Sequence, residues 1–274
     1  MPEFISIDDP EDPRIEGYRE VRERDLVGRQ GGFMAEGEVV LRAWARSGGR
    51  HRLTSVLVAE TRAMALQPLL DQLPAEVVIY QAAPQVMDRI VGFPIHRGVL
   101  ALGRRAEDPG AEPLLAGLGR RALIVTLFGV SNHDNIGGIF RNAAAFGADA
   151  VLLDGACCDP LYRKAIRVSV GAALITPFAR LDPRVDPLEL IARHGFESMA
   201  LSPTGALPLV QLRRPDRAAL LLGAEGPGLP AAVLAKARTV AIPMASQFDS
   251  LNVATACGVA LNHLVHGAKD EGAA

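Results

Sequence analysis

Residues Ala122 to Phe128 form an apolar run broken only by Thr126. A run that short cannot cross a membrane, and its lack of alternation marks a strand covered on both faces, as in the interior of a parallel sheet. The same signal recurs down the chain. Strands are expected at Ala150–Leu153, Leu174–Pro177, Phe196–Leu201, Ala218–Leu222 and Thr239–Ile242. Helical periodicity fills the intervals at Ile136–Phe146, Leu188–His194 and Pro230–Ala237, with a terminal helix over Leu251–His266. This alternation predicts an α/β fold, a mostly parallel sheet with helices on both faces. In such a sheet the ligand site lies beyond the carboxyl ends of the strands, so the loops there carry the functional argument.

The N-terminal part reads as a smaller α/β domain over 29–106. Helices are expected at Gly37–Trp44, Ala63–Leu70 and Pro84–Ile90, and strands at Leu53–Val58, Val77–Tyr80 and Gly98–Leu102. The Pro- and Gly-containing stretch from Glu107 to Pro113 suggests a linker, taken as 107–119, ahead of a second domain over 120–268 and a tail over 269–274. Residues 1–28 read as an acidic extension lying on the surface. Without a membrane run or a basic and apolar leader, the expectation is a cytoplasmic protein with no membrane partner. Cys157, Cys158 and Cys257 lack the spacing of a disulfide framework and are expected to act as small hydrophobic residues. His263 and His266 lie three apart with no third ligand in register, so no metal is expected.

The net charge of −2 argues against bulk electrostatic binding of nucleic acid, but its distribution is uneven. Residues 1–30 hold nine acids and five basic residues. From Arg42 to Arg62 there are five arginines against the single acid Glu60, and Arg163, Lys164 and Arg167 form a second cluster. The planar guanidinium suits phosphate contacts. These clusters, together with Arg97, supply the candidate nucleic-acid-binding residues Arg50, Arg52, Arg97, Arg163, Lys164 and Arg167.

Three loops stand out. In Ser131–Asn142, Asn135 is placed to cap the following helix and Arg141 emerges from an otherwise apolar segment. In Leu222–Pro230, three glycines around Pro227 demand a defined turn ahead of a helix. That loop lacks the phosphate-binding GxxxxGK[ST] pattern, and Glu225 would repel a polyphosphate. A ligand carrying sulfonium and amino groups, such as S-adenosylmethionine, suits Glu225 better. In Ile242–Val253, Ser250 is a candidate helix cap, while Asn252 is a polar amide entering an apolar helix and needs partners.

Together these loops resemble the SpoU/TrmH family of RNA 2′-O-ribose methyltransferases, in the trefoil-knot methyltransferase class. The likeness rests on Asn135-Ile136-Gly137 with Arg141 and Ala145-Phe146-Gly147, on Gly223-Ala224-Glu225-Gly226-Pro227-Gly228-Leu229, and on Ile242-Pro243-Met244 followed by Ser250-Leu251-Asn252-Val253. His96-Arg97-Gly98-Val99-Leu100-Ala101 is similar to the end of the family's ribosomal-protein-like RNA-binding domain. The sequence departs from the family at His133-Asp134, where Asn-Pro is common, and at Ala224, where many tRNA-modifying members carry Asn.

The resemblance implies a trefoil knot in the C-terminal domain and a homodimer formed through it. It implies S-adenosylmethionine as cofactor, held by Leu201, Gly223, Glu225, Gly226, Ile242, Met244 and Leu251. The implied catalytic set is Arg141, Asn135, Glu225, Ser250 and Asn252, acting on a ribose 2′-hydroxyl of structured RNA, rRNA rather than tRNA. Arginine ordinarily stays protonated, so Arg141 is expected to anchor a phosphate and stabilise developing negative charge. The rival expectation is a non-catalytic RNA-binding homologue.

Overall fold

A computed structural model describes residues 4–19, 31–46, 50–92, 97–245 and 250–267. The elements begin with β1 (Phe4–Ile7), β2 (Gly32–Glu36), α1 (Glu38–Ala45), β3 (Arg52–Ala59), α2 (Glu60–Leu70), β4 (Val78–Ala82), α3 (Pro84–Val91) and β5 (Val99–Arg104). They continue with α4 (Ala111–Ala116), β6 (Ala122–Phe128), α5 (His133–Ala145), β7 (Ala150–Leu153), α6 (Arg163–Val168), α7 (Ala172–Ile175) and β8 (Phe178–Arg180). Then follow α8 (Pro187–Arg193), β9 (Glu197–Leu201), β10 (Leu207–Pro208), β11 (Arg217–Gly223), α9 (Ala231–Lys236), β12 (Arg238–Ala241) and α10 (Val253–His266). The chain divides into two compact units, Met1–Glu107 with Pro160–Ile175 and Asp108–Asp159 with Thr176–Ala274.

The first unit is built on a five-stranded sheet in the order β1-β4-β3-β5-β2. β1, β4 and β3 run parallel, while β5 is antiparallel to both β3 and β2. For residues 4–19 the sheet overturns the reading of 1–28 as a surface extension; the rest of that span lies outside the described residues. β1 pairs with β4 from Phe4↔Ile79 to Ile7↔Ala82, and a 3₁₀ turn over Pro13–Tyr18 buries Ile15 and Tyr18 completely. The Tyr18 hydroxyl lies 2.7 Å from Ser55 Oγ on β3, and burial pushes the phenol well above its usual range. Four residues between acidic flanks were too short a signal to read as a strand, and β2 was likewise unassigned.

Two further expectations fail for one reason: a short apolar run does not announce which surface it covers. Leu174–Pro177, expected as a strand, is instead the end of α7 followed by β8. Val170 and Gly171, at φ +55° and +86°, reverse the chain, and a Cβ on Gly171 would sit 2.9 Å from the Ala43 methyl of α1. The expected linker 107–119 contains α4, whose Ala111 and Leu115 enter the core of the second unit. Arg217 fastens that segment by donating to the carbonyls of Leu115, Leu118 and Gly119.

The second unit carries a seven-stranded sheet in the order β10-β12-β9-β11-β6-β7-β8, and every neighbouring pair is parallel. β6 and β11 lie side by side over seven registered pairs, from Ala122↔Arg217 to Phe128↔Gly223. Their loops therefore leave the sheet at the same level. All of β6 is buried, as its unbroken apolar pattern requires. Among the described residues no helix is long and apolar enough to cross a membrane.

Candidate active site

The site is set by the approach of two helices. Gly138 of α5 lies against Ala254 of α10 so closely that a Cβ at 138 would stand 2.7 Å from the Ala254 methyl. On the same faces Asn142 Nδ2 donates to the Ala254 carbonyl at 2.6 Å, and Gly258 leaves room for the Asn142 amide. Small residues thus let the helices pack nearly backbone to backbone, which aligns the first turn of α5 with the start of α10.

Asn252 stands at that start. It caps α10, its Oδ1 accepting from Ala254 N at 2.9 Å and Thr255 N at 3.2 Å. Its Nδ2 donates to Asn135 Oδ1 and to Glu225 Oε1, each at 2.9 Å. An amide offers two donor hydrogens and an oxygen with two lone pairs, so these four bonds use its whole capacity and lock its orientation. The lock passes to buried Asn135: with its oxygen engaged, Nδ2 is the group it presents elsewhere. Three segments far apart in sequence meet at one side chain.

Two expected caps are corrected here. Asn135 does not cap α5; Asn132 does, accepting from Asp134 N at 2.8 Å, because the helix begins at His133. Ser250 does not cap α10, since Asn252 holds that position, and Ser250 is exposed.

Beside this junction, the loops after β9, β11 and β12 enclose a cavity of about 610 Å³. All seven residues expected to hold a cofactor line it, namely Leu201, Gly223, Glu225, Gly226, Ile242, Met244 and Leu251, and so do Ser250 and Asn252. The glycine loop folds back on itself: Gly228 N donates to Ala224 O at 3.0 Å, and a Cβ at Gly223 would run into the Gly228 backbone. Gly226 and Gly228 take φ of +83° and +71°, which side chains resist. The walls also include Leu222, Val253, Ser202, Pro203 and Ala256, which sequence reasoning missed. Ser202 and Pro203 follow directly on β9, so the rule that ligands bind beyond the strand ends was the available signal. Ala256 faces the cavity only because of how α10 is rotated.

Arg141 and Asn135 do not line the cavity. Arg141 is exposed, six residues beyond Asn135 on α5, and among the described residues no hydrogen bond or ion pair holds its side chain. The six candidate RNA-binding residues all belong to the first unit. Arg50 and Arg163 are partly exposed, while Arg52, Arg97, Lys164 and Arg167 are exposed. His263 serves structure, its Nε2 lying 2.8 Å from the Leu212 carbonyl.

Comparison with known proteins agrees with this geometry. The family model described as "SpoU rRNA Methylase family" matches residues 122–262. An uncharacterized tRNA/rRNA methyltransferase of Mycobacterium tuberculosis (strain CDC 1551 / Oshkosh) is 39% identical over 261 residues, covering 92% of this chain and 88% of its own. The 23S rRNA (guanosine-2′-O-)-methyltransferase RlmB of Escherichia coli (strain K12) is 29% identical over 201 residues, covering 72% and 82%. Among solved structures, an RNA 2′-O ribose methyltransferase superposes with a TM-score of 0.75 at 26% identity, covering 94% of this chain and 96% of that one. An AdoMet-bound rRNA methyltransferase from Sinorhizobium meliloti shares the fold, with a TM-score of 0.80 at 22% identity over 94% and 96% of the two chains.

Proposed function

Since the chain belongs to the SpoU rRNA methylase family of S-adenosylmethionine-dependent RNA methyltransferases, we propose that it methylates a ribose 2′-hydroxyl of structured ribosomal RNA. The observation that carries this reading is the Asn135–Asn252–Glu225 junction, whose Asn252 and Glu225 line the cavity. Ala224 in the glycine loop, and the 2′-O-ribose activity named for the Escherichia coli relative, support the choice of target.

The cavity suits the cofactor on its own features. Its volume lies within the roughly 300–1,000 Å³ usual for small-molecule sites. Leu201, Leu222, Ile242 and Leu251 offer apolar walls for an adenine ring, the glycine loop offers bare backbone, and Glu225 offers a carboxylate to a cationic ligand. S-adenosylmethionine held there would supply a methyl group already activated by its sulfonium, with S-adenosylhomocysteine as the leaving group and the hydroxyl proton released to solvent.

The chain's own residues do the rest. Asn252 holds Asn135 and Glu225 in one arrangement, so the polar groups facing the ribose are positioned before substrate arrives. Asn135 Nδ2 donates to the ribose. Arg141, exposed on α5 six residues beyond Asn135, binds the adjacent phosphate and stabilises negative charge developing on the 2′-oxygen. Ser250 steadies the nucleotide from the rim. A knotted passage of the chain through the second unit, a dimer formed by that unit and a cytoplasmic location belong to the same reading; light scattering on the purified protein checks the dimer.

The test is transfer of labelled methyl from S-adenosylmethionine to ribosomal and transfer RNA, with the product mapped for 2′-O-methylribose. Arg141→Ala should abolish transfer while cofactor binding and melting temperature hold. Label on a base, or undiminished transfer by the variant, overturns the reading. Cofactor binding with no transfer to any RNA favours the non-catalytic rival.

A further inference from the structure

The first unit contains a cavity of about 420 Å³, separate from the one described above, lined by Glu38, Val39, Val40, Arg62, Arg97, Arg167 and Val170. Arg62 and Arg97 are seated by glycines. A Cβ on Gly98, at φ +62°, would lie 2.8 Å from Arg62 Cγ, and one on Gly37, at φ +101°, would lie 3.0 Å from the Arg97 side chain. Both stems therefore rest on bare backbone. The third arginine arrives on α6, from the segment Pro160–Ile175 that the middle of the chain contributes to this unit. Buried Glu36 of β2 holds that segment, with Arg163 Nη2 at 3.3 Å and Arg167 Nη1 at 3.7 Å. The chain then turns at Val170, a β-branched residue at φ +55° on the cavity wall. Non-glycine residues persist in that region only where surrounding structure enforces it.

The charge here is unbalanced. Among the described residues Glu38 is the only acid on the wall, and its two oxygens are taken by Arg42 at 2.7 Å and Arg62 at 2.9 Å. Arg97 has no carboxylate partner among the described residues, and Arg167 is 41% exposed and only 3.7 Å from a glutamate that Arg163 also engages. Two guanidinium groups thus face a cavity with an apolar floor, where Val39 is 58% exposed. That combination fits a nucleotide: cations for the phosphate, valines as an apolar surface for the base.

We propose that this cavity receives one nucleotide of the RNA substrate, with Arg97 and Arg167 gripping its phosphodiester, and that the segment Pro160–Ile175 exists in this unit to complete the grip. The inference rests on the RNA-modifying reading for the identity of the ligand, but its test does not depend on methyl transfer. The full chain is titrated with a fluorescent single-stranded RNA oligonucleotide over a range of salt concentrations. Arg97→Ala and Arg167→Ala should each weaken binding about tenfold, as loss of a charge-assisted hydrogen bond implies. The double variant should lower the log–log salt slope by about 0.7, the value for one phosphate of a single strand. Arg14→Ala, which removes the same charge outside the cavity, should leave affinity unchanged, and the emission of buried Trp44 checks that each variant keeps its fold. Competition by guanosine monophosphate separates a free-nucleotide site from an RNA site. The inference is overturned if the double variant binds RNA with the parental affinity and slope, or if the monophosphate binds in an Arg97-dependent way while RNA binding does not change. Cofactor binding without methyl transfer, alongside a lost Arg97 and Arg167 effect, would sink both readings; transfer without that effect sinks only this one.

Discussion

Gly138→Ala tests whether the contact between α5 and α10 sets the active site. The added methyl would stand 2.7 Å from the Ala254 methyl, against an ordinary carbon–carbon separation of roughly 3.5–4.0 Å. The first turn of α10 must retreat by about 1 Å to accept it. Asn252, two residues before Ala254, moves with that turn, and its 2.9 Å bond to Asn135 stretches to about 4 Å, beyond hydrogen-bonding range. For stability the effects oppose. Alanine in a helix interior gains about 1 kcal/mol over glycine, while overpacking costs about 1–3 kcal/mol. The net loss is at most about 2 kcal/mol, a shift of a few degrees in melting temperature. Turnover has no such compensation, and a 1 Å misplacement of catalytic groups costs about 100-fold. The assay pairs methyl transfer at saturating cofactor with thermal unfolding. Gly138→Ala should melt almost normally yet transfer about 100-fold more slowly, and adding Ala254→Gly should restore the spacing and much of the rate. Full activity in the single variant, or no recovery in the double, refutes the argument that helix spacing orders the site.

Asn252→Ala removes the cap of α10 and both bonds to Asn135 and Glu225; it should cost about 1 kcal/mol by denaturant unfolding and reduce transfer more than cofactor affinity. Ile15→Ala should destabilise the first unit by about 2–5 kcal/mol, read as early loss of the emission of Trp44, the chain's single tryptophan; a surface extension would show no change. The thiols should resist alkylation in the folded protein. Burial, then Asp154, pushes Cys157 up to about 12, and burial, then Asp159, pushes Cys158 up to about 11, while burial also raises Cys257. Because the thiolate is the reactive form, native labelling at pH 8 should be slow and should accelerate toward pH 11, whereas denaturant exposes all three thiols at once. Raised folded-state values also mean that these thiols leave stability intact below the ordinary 9.0 and diminish it as pH climbs through about 11 and 12. Rapid native labelling at pH 8 would contradict the burial described.

Local chemistry made much of this molecule legible in its sequence. The apolar run Ala122–Phe128 could satisfy itself only as an inner strand, and the spacing of apolar stretches after it yields most of the alternation of the second unit, though it misplaces β8 and misses β10. The glycine loop at 223–228 had to be a fixed turn, and it is. The seven residues expected around a cofactor do share one cavity: six of them end or closely follow β9, β11 or β12, whose parallel strands deliver their loops to one edge, and Leu251 joins them just ahead of α10. What depends on distant partners was not legible. Asn135 and Ser250 looked like helix caps by type, but where a helix begins depends on which neighbour supplies the first hydrogen bond, and Asn132 and Asn252 do so. Burial of Ile15 and Tyr18, anchoring of α4 by Arg217, and donation of Pro160–Ile175 to the first unit all rest on contacts with residues remote in sequence. Periodicity reports that a face is apolar; only the folded chain decides what covers it.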